Sequence, residues 1–424
     1  MLRFMYALIV LIMPISVASA QTQTQLRIAW WGSQERHSRT IAAIELYEEL
    51  NPDIDIIYEF QGWYDHWTKL STQAAGGELP DIVQQSYARV EEWVANGLLL
   101  PLDDYLEDGA IDTTYIAESS LATGMVAGQI YGISLGSNAE VFTLDTDAFA
   151  AAGIDLPPLD WTWPQFEALA TQIHDRLGIV GIGQLTSEEL WHSLYIGCCD
   201  QSAYAADGRS LGYDDDQPLI DFYNMLLRLQ ESGGMERFED WVAAGDQGVE
   251  ADLIVSGEAA MAYHGSNQIV AIWSAAGAER NFMMYPLPRP AGGQSQDYIR
   301  PSMLFSISSQ TDHPDEAAAF VNWFVNSIEA NEILAAERGV PVSAAVREAL
   351  LPTLGQAQAE MFRVITIMEG DSSAIRPPSP RAHADIVNNV FVPEFVEPVM
   401  YGLLSPEAAA PYLREEANRI LAAQ

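Results

Sequence analysis

The chain begins its folded part by switching repeatedly between two hydrophobic periods. Leu26 to Trp31 gathers Leu26, Ile28, Ala29, Trp30 and Trp31 into one short run, which predicts a buried strand ending at Trp31-Gly32-Ser33. From Ser38 to Leu50 the apolar residues Ile41, Ile44, Tyr47 and Leu50 recur at helical spacing, and Asn51-Pro52 stops the helix. Ile54 to Phe60 is rich in β-branched residues and predicts a second strand, ending at Gly62-Trp63-Tyr64. A helix through Trp67, Leu70 and Ala74 follows to Gly76-Gly77. A third strand starts after Pro80 and runs to Gln84-Gln85, leading to a helix closed by Gly97.

Strand and helix alternating in this way predict a parallel sheet with helices on both faces. In open sheets of this type ligands bind beyond the carboxyl ends of the strands. Those ends carry Trp31, Trp63 with Tyr64, and Gln84 with Gln85, so aromatic and amide groups are delivered to one rim.

The rhythm then changes. From Gly128 through Ser137-Asn138 to Leu144 the chain stays extended with no helix between, which suits a crossing between two lobes. Thr162-Trp163-Pro164-Gln165 reads as a capping box with proline in the first turn. Helical patterns recur at Pro218–Glu231, Val249–Ser256 and Glu316–Asn326, and strand-like runs at Ala259–Tyr263, Phe282–Pro286 and Met303–Ser308. Pro377-Pro378-Ser379-Pro380 reads as a stiff loop, and the chain shows no internal repeat.

The first twenty residues predict the compartment. Arg3, the apolar run Phe4–Val17 and Ala18-Ser19-Ala20 have the form of a cleavable secretory leader over residues 1–20; a membrane anchor would need a longer run. Position 21 is glutamine, so a lipid-anchored variant has no cysteine to attach to. Of the 424 residues, 49% are hydrophobic, ample for folded cores, and the length suits two lobes. Acidic residues number 59 against 20 basic ones, a net charge of −39, which argues against nucleic acid or anionic lipid as partners. The acids are spread along the whole chain, which fits a solvated surface better than a single cation site.

Taken in order, Trp30-Trp31-Gly32-Ser33 with Arg36, Asn51-Pro52-Asp53-Ile54, Gly62-Trp63 with Lys69-Leu70-Ser71, and Ala75-Gly76-Gly77 with Pro80-Asp81-Ile82 resemble the opening of family 1 extracellular solute-binding proteins, the sugar binders of ABC importers. Tyr131-Gly132-Ile133, Gly153 with Trp161-Thr162-Trp163, Gly257 with Ala260-Met261, and Arg338-Gly339-Val340-Pro341 continue the likeness. The resemblance implies a two-lobed α/β periplasmic-binding-protein fold with chain crossovers at a hinge: residues 26–136 plus 306–350 in one lobe, 137–305 plus 351–424 in the other. It also implies a carbohydrate ligand, permease subunits of an ABC importer as partners, a monomer in the periplasm, and no cofactor. The family's cleft-lining loops correspond here to Trp31, Arg36, Trp63, Gln85, Tyr87, Asn138 and the turn His264-Gly265-Ser266-Asn267. Ser134 stands where the family usually has proline, which loosens the register at the hinge.

Sugars offer apolar faces and many hydroxyls, so their receptors need flat aromatics with amides, carboxylates and arginine. The chain has 11 tryptophans. Trp31, Trp63 and neighbouring Tyr64 are expected at the ligand, while Trp67, Trp93 and Trp323 fall on apolar helical faces and are expected in cores. Trp191, Trp241 and Trp273 show no clear face and stand as ligand candidates beside a core role. Arg36 and Arg338 could reach the cleft; each also has a plain structural reading, as a surface ion pair and as a helix C-terminal cation.

Gly132-Ile133-Ser134-Leu135-Gly136 matches the Gly-x-Ser-x-Gly pattern of serine hydrolases, yet the chain stays extended where that chemistry needs a helix, so catalysis is not expected. The seven histidines are scattered without metal-ligand spacing, and Asp214-Asp215-Asp216 lacks the form of a calcium loop. Cys198-Cys199 could form a vicinal disulfide or remain two thiols; if bonded, it could offer a rigid ledge to a sugar face. A receptor for a polyamine or other cationic solute remains the alternative, and would show two or more uncompensated carboxylates.

Overall fold

The structure, a computed structural model, describes residues 23–423 except Ser33, 246–250 and Pro378, and gives no side-chain account of residues 35, 63 and 64. The expected leader lies outside the described residues. Chain order gives the strands β1 (Thr24–Trp31), β2 (Ile54–Gln61), β3 (Ile82–Gln85), the small hairpin β4 (Met125–Val126) and β5 (Gln129–Ile130), then β6 (Ile133–Ser134), β7 (Ser137–Asn138) and β8 (Glu140–Asp145). After these come β9 (Val180–Ile182), β10 (Ala259–Gly265), β11 (Phe282–Tyr285), β12 (Arg300–Pro301) and β13 (Leu304–Ile307).

The first sheet has the order β2-β1-β3-β13-β6. Its first three strands are parallel, with Ile28 opposite both Tyr58 and Ile82, as the strand–helix alternation predicts. Strand β13 then adds antiparallel to β3, placing Leu304 opposite Gln85. Successive residues of β1 serve opposite faces. Leu26, Ile28 and Trp30 enter one apolar cluster with Ile44, Tyr47 and Phe320, and Ala29 enters another with Trp67, Val83 and Trp93. The helix Trp63–Gly76 closes at Gly77, whose φ of 72° is the left-handed value that terminates helices, and the amides of Gly77 and Glu78 bond back to Ala74 and Gln73.

The second sheet, β11-β8-β10-β9, is likewise covered on both faces: Phe142 and Leu144 join one cluster, Val141 and Ala262 the other. The capping box at Thr162 forms, with Gln165 Oε1 accepting from the Thr162 amide at 2.8 Å, and starts the helix Trp163–Leu177. The helix expected over Val249–Ser256 is observed only as Leu253–Ser256, and its first two residues lie outside the described residues. The extended stretch expected from Gly128 to Leu144 is broken into four short strands, β5 to β8, because it belongs to four different pairings.

Among the described residues, three chain segments pass between the sheets. β7 pairs with β12, Asn138 opposite Arg300, and Ser137 exchanges backbone hydrogen bonds with Val340 at 2.7 and 3.1 Å. The crossings therefore lie backbone against backbone, and a Cβ on Gly136 would stand 2.2 Å from the Arg338 carbonyl oxygen. That close approach requires glycine. Ser134, in place of the expected proline, donates to the Gly136 carbonyl at 2.9 Å and closes this turn. Packing divides the chain slightly differently from the expected boundaries: Leu304 and Phe305 already sit in the first sheet, and Val346 and Leu350 of the helix Ala344–Leu350 pack with the second sheet's core.

Candidate functional site

Ser302, on the crossing after β12, lines two cavities, and each takes walls from both sheets' surroundings. One, about 320 Å³, joins Ser86 and Tyr87, just beyond the carboxyl end of β3, to Glu189, Tyr298, Arg300 and Arg376 of the second lobe. Tyr87 donates its hydroxyl to the Arg376 carbonyl oxygen at 2.7 Å. Arg300 bonds Glu189 at 3.1 Å and also pairs with Glu140. The Arg376 guanidinium pairs with Glu189 and donates to His192 Nδ1. Both guanidiniums lie over the Tyr298 ring, at 5.1 Å for Arg376 and 5.8 Å for Arg300.

The charges of this cavity are set by burial and by those arginines. Burial opposes ionisation of Glu189, yet Arg376 and Arg300 outweigh it and hold the carboxyl below its usual range. Glu140 behind Arg300 is pushed up by burial, only partly offset by that arginine. Burial and then Arg376 hold His192 well below its ordinary value, so it is a neutral acceptor. Burial raises Tyr87 and Tyr298 to about 12, keeping both phenols as donors.

The second cavity, about 450 Å³, is lined by Arg36, Asn138, Asn267, Ser302, Arg338 and Gln358 among others. Arg36 pairs with Glu337 at 2.8 Å. Arg338 is buried, donating to Thr40 Oγ1 at 2.8 Å and, at 3.4 Å, to Gln84 Oε1. Burial and the neighbouring Arg36 charge lower its pKa to about 9.

Of the residues expected at the ligand, Arg36, Tyr87, Asn138, Asn267 and Arg338 thus line one cavity or the other. Trp31 ends β1 beside Gln84, whose amide donates to its carbonyl at 3.0 Å, and its ring lies against His66 and Trp67 at 5.1 and 5.5 Å. Gln85 is fully buried, with both side-chain amide atoms lacking a partner among the described residues. The side chains of Trp63 and Tyr64 lie outside the described residues, and their backbone opens the helix Trp63–Gly76.

Several candidates turn inward instead. His264 bonds Thr143 Oγ1 at 2.8 Å and the Gly265 carbonyl at 2.9 Å, and burial lowers its pKa to about 4. Ser266 accepts from the Ala139 amide at 3.1 Å, and the Gly265 amide donates to Gln268. These three fasten the turn that presents Asn267. Trp191 is a core residue, stacked on Phe391 at 4.8 Å with its indole donating to Tyr213. Trp273 packs on Phe282 at 5.3 Å and donates to the Arg280 carbonyl. Trp241 is exposed on the helix Phe238–Ala244 beside Phe238. None of these three lines either cavity, because the helices that carry them turn their indoles to cores or to an outer face.

Glu189, Tyr298, Arg300 and Arg376 escaped the sequence reading. A usable signal was present: basic residues are scarce in this chain, and Arg300 and Arg376 each stand immediately before a proline in a connecting segment. Cys198 and Cys199 are bonded to each other. They end the helix Glu188–Cys199, roughly 14 Å along its axis from Glu189 at 1.5 Å per residue. Cys198 lines a separate cavity with Trp163, Leu194 and Phe222, so the bridge forms no ledge in the cleft. Among the described residues no group of three or more His, Cys, Asp or Glu side chains is placed to hold a metal, and no helix is long and apolar enough to cross a membrane.

The family model described as bacterial extracellular solute-binding protein matches residues 31–329. The chain is similar to an uncharacterized lipoprotein of Streptomyces antibioticus, 25% identical over 304 residues, covering 67% of this chain and 63% of that protein, so it spans less than two thirds of that relative's length. It shares its fold with a family 1 extracellular solute-binding protein of Alicyclobacillus acidocaldarius, at 28% identity and a TM-score of 0.87 over 94% of this chain and 99% of that one. A periplasmic oligogalacturonide binding protein of Yersinia enterocolitica has the same fold at 22% identity and a TM-score of 0.77, covering 94% of this chain and 99% of the other. With two α/β lobes, three crossings and cavities built between them, the chain belongs to the bacterial extracellular solute-binding proteins.

Proposed function

We propose that this protein captures a saccharide between its two lobes in the periplasm and presents the closed form to the permease subunits of an ABC importer, without catalysing a reaction. One observation carries the reading: a cavity whose one wall is Tyr87 from the first lobe and whose other wall is Glu189, Tyr298, Arg300 and Arg376 from the second. Phenols, guanidiniums and a carboxylate in one small space are the groups that order sugar hydroxyls. The chain works as a monomer, and its acidic surface keeps nucleic acid away. A cationic solute is disfavoured because Glu140 and Glu189 are both engaged by arginine. The oligogalacturonide named for the Yersinia protein agrees with a saccharide ligand.

Thermal melting against a panel of oligosaccharides and polyamines tests this. A ligand at about 100 times its Kd stabilises the folded state by about 2.7 kcal/mol, a readily measured rise in Tm. Saccharides should raise Tm. A rise with amines alone would overturn the reading.

A further inference from the structure

The cavity of about 450 Å³ lies apart from the one assigned to the saccharide, and among the described residues the two share Ser302 alone. Each of the three crossings supplies a residue to its wall: Asn138 from the first, Ser302 from the second and Arg338 from the third. Each of these residues has a buried polar atom with no hydrogen-bond partner among the described residues, namely Asn138 Oδ1, Ser302 Oγ and Arg338 Nη1. Arg338 matters most, because its side chain is only 3% exposed and carries a charge. Its Nε and Nη2 donate to Gln84 and Thr40, whereas Nη1 stands 3.9 Å from Glu337 Oε2, too far for a hydrogen bond. Glu337 is engaged by Arg36, whose Nε reaches its two oxygens at 3.1 and 2.8 Å. Two guanidiniums therefore share one carboxylate at this wall, which leaves one positive charge over. We infer that this cavity is a second binding site, for a small oxyanion of the phosphate class held by Arg338, Ser302 and Asn138 across the three crossings.

The donors and acceptors select that class. Arg338 Nη1 donates to a negative oxygen, and such charge-assisted bonds are the strong ones. Ser302 donates or accepts, but Asn138 Oδ1 only accepts, so the ligand must bring a hydroxyl as well as a charge. Hydrogen phosphate carries both at neutral pH, whereas sulfate and chloride have no proton to give. Water supplies hydrogen bonds here without neutralising the cation, and a buried charge left unpaired is costly. Burial, and after it the Arg36 charge, lower the Arg338 pKa to about 9, so the side chain is still cationic at pH 7. Two glycines leave space for the other two groups: a Cβ on Gly136 would stand 3.1 Å from Ser302 Oγ, and one on Gly339 would stand 3.1 Å from both amide atoms of Asn138. The protein's net charge of −39 repels anions at long range, but salt at about 0.1 M screens that repulsion beyond about 10 Å. The site does not depend on what the other cavity binds.

Calorimetric titration of the protein with inorganic phosphate and with sulfate, at pH 7, matched ionic strength and no sugar, tests the inference. Phosphate should bind at one site with a Kd of about 1 mM or tighter, and sulfate at least about tenfold more weakly. Arg338→Gln should weaken phosphate more than about tenfold, and Ser302→Ala about fivefold. Arg300→Gln, in the other cavity, should leave phosphate affinity within about twofold. No saturable heat with phosphate, sulfate binding as tightly as phosphate, or a loss caused by Arg300→Gln rather than Arg338→Gln would each overturn the inference. The two anions on the unaltered protein and the Ser302→Ala variant decide even if Arg338→Gln misfolds. Because no sugar enters the experiment, its failure leaves the saccharide reading standing.

Discussion

Tyr87 and Arg376 meet across the cleft, the phenol of one lobe donating to the backbone carbonyl of the other at 2.7 Å. The two residues are 289 positions apart, so only the fold brings them together. Because burial raises the Tyr87 pKa to about 12, the donor persists throughout the physiological range. Tyr87→Phe removes this contact between the lobes. Ligand affinity should fall about fivefold, equivalent to about 1 kcal/mol, with Tm of the ligand-free protein nearly unchanged. Titration of the variant checks this, and unaltered affinity would show that the contact takes no part in closure.

Arg347 should be a strong determinant of stability. It pairs with Glu369 in a buried position and donates to the carbonyls of Pro341 and Val342 at 2.8 and 3.1 Å, tying the third crossing to the helix Gln356–Gly370. Arg347→Met leaves Glu369 buried without its cation. The expected loss is about 3–5 kcal/mol in urea unfolding. A loss below about 1 kcal/mol would show that water or a rearranged neighbour satisfies the carboxylate.

Asp297 links stability to pH. It accepts from the Leu287 amide at 2.9 Å and the Ser295 hydroxyl at 3.1 Å, but burial dominates and raises its pKa from 3.8 to about 7. The folded chain then holds a proton that the unfolded chain has already released. Its stabilising share is complete below pH 3.8 and is lost as pH rises towards 7. Relative to Asp297→Asn, the wild type should lose roughly 1–3 kcal/mol between pH 4 and 7. A pH-independent difference in unfolding free energy would contradict this.

The vicinal disulfide should be silent in binding. Cys198 faces Trp163 and Phe222 in a cavity of its own, at the far end of the helix from Glu189. Cys199→Ser, or mild reduction, should leave ligand affinity within about twofold. Because the bridge closes almost no loop, stability should change little as well. A tenfold loss of affinity on reduction would connect that cavity to the cleft.

Local pattern and distant pairing account for what could be read in advance. Leu26–Trp31, Ile54–Phe60 and Ile82–Gln85 announced themselves by composition and spacing, and the parallel order of their strands follows from the intervening helices. The insertion of β13 between β3 and β6 did not, since no short-range signal reports which strand joins an open edge. Tyr87 and Asn138, which line the cavities, were accessible through the family resemblance, whereas Arg300 stands on a two-residue strand and Arg376 on an irregular segment, both too short to show a period. Trp191 was illegible for another reason: from Leu190 to Gly197 its helix is buried all round, so no polar face marks which side is the core. His264 and Ser266 share a turn with Asn267, which lines a cavity, but point inward themselves, a distinction that one sequence does not encode.

Small-angle scattering of the protein, with and without a saccharide that raises its Tm, tests the central claim most directly. Capture between two lobes predicts a fall in the radius of gyration on adding the sugar, with Tyr87→Phe weakening that response. An unchanged radius at saturating sugar would contradict it, since the ligand would then be bound without the lobes closing on it.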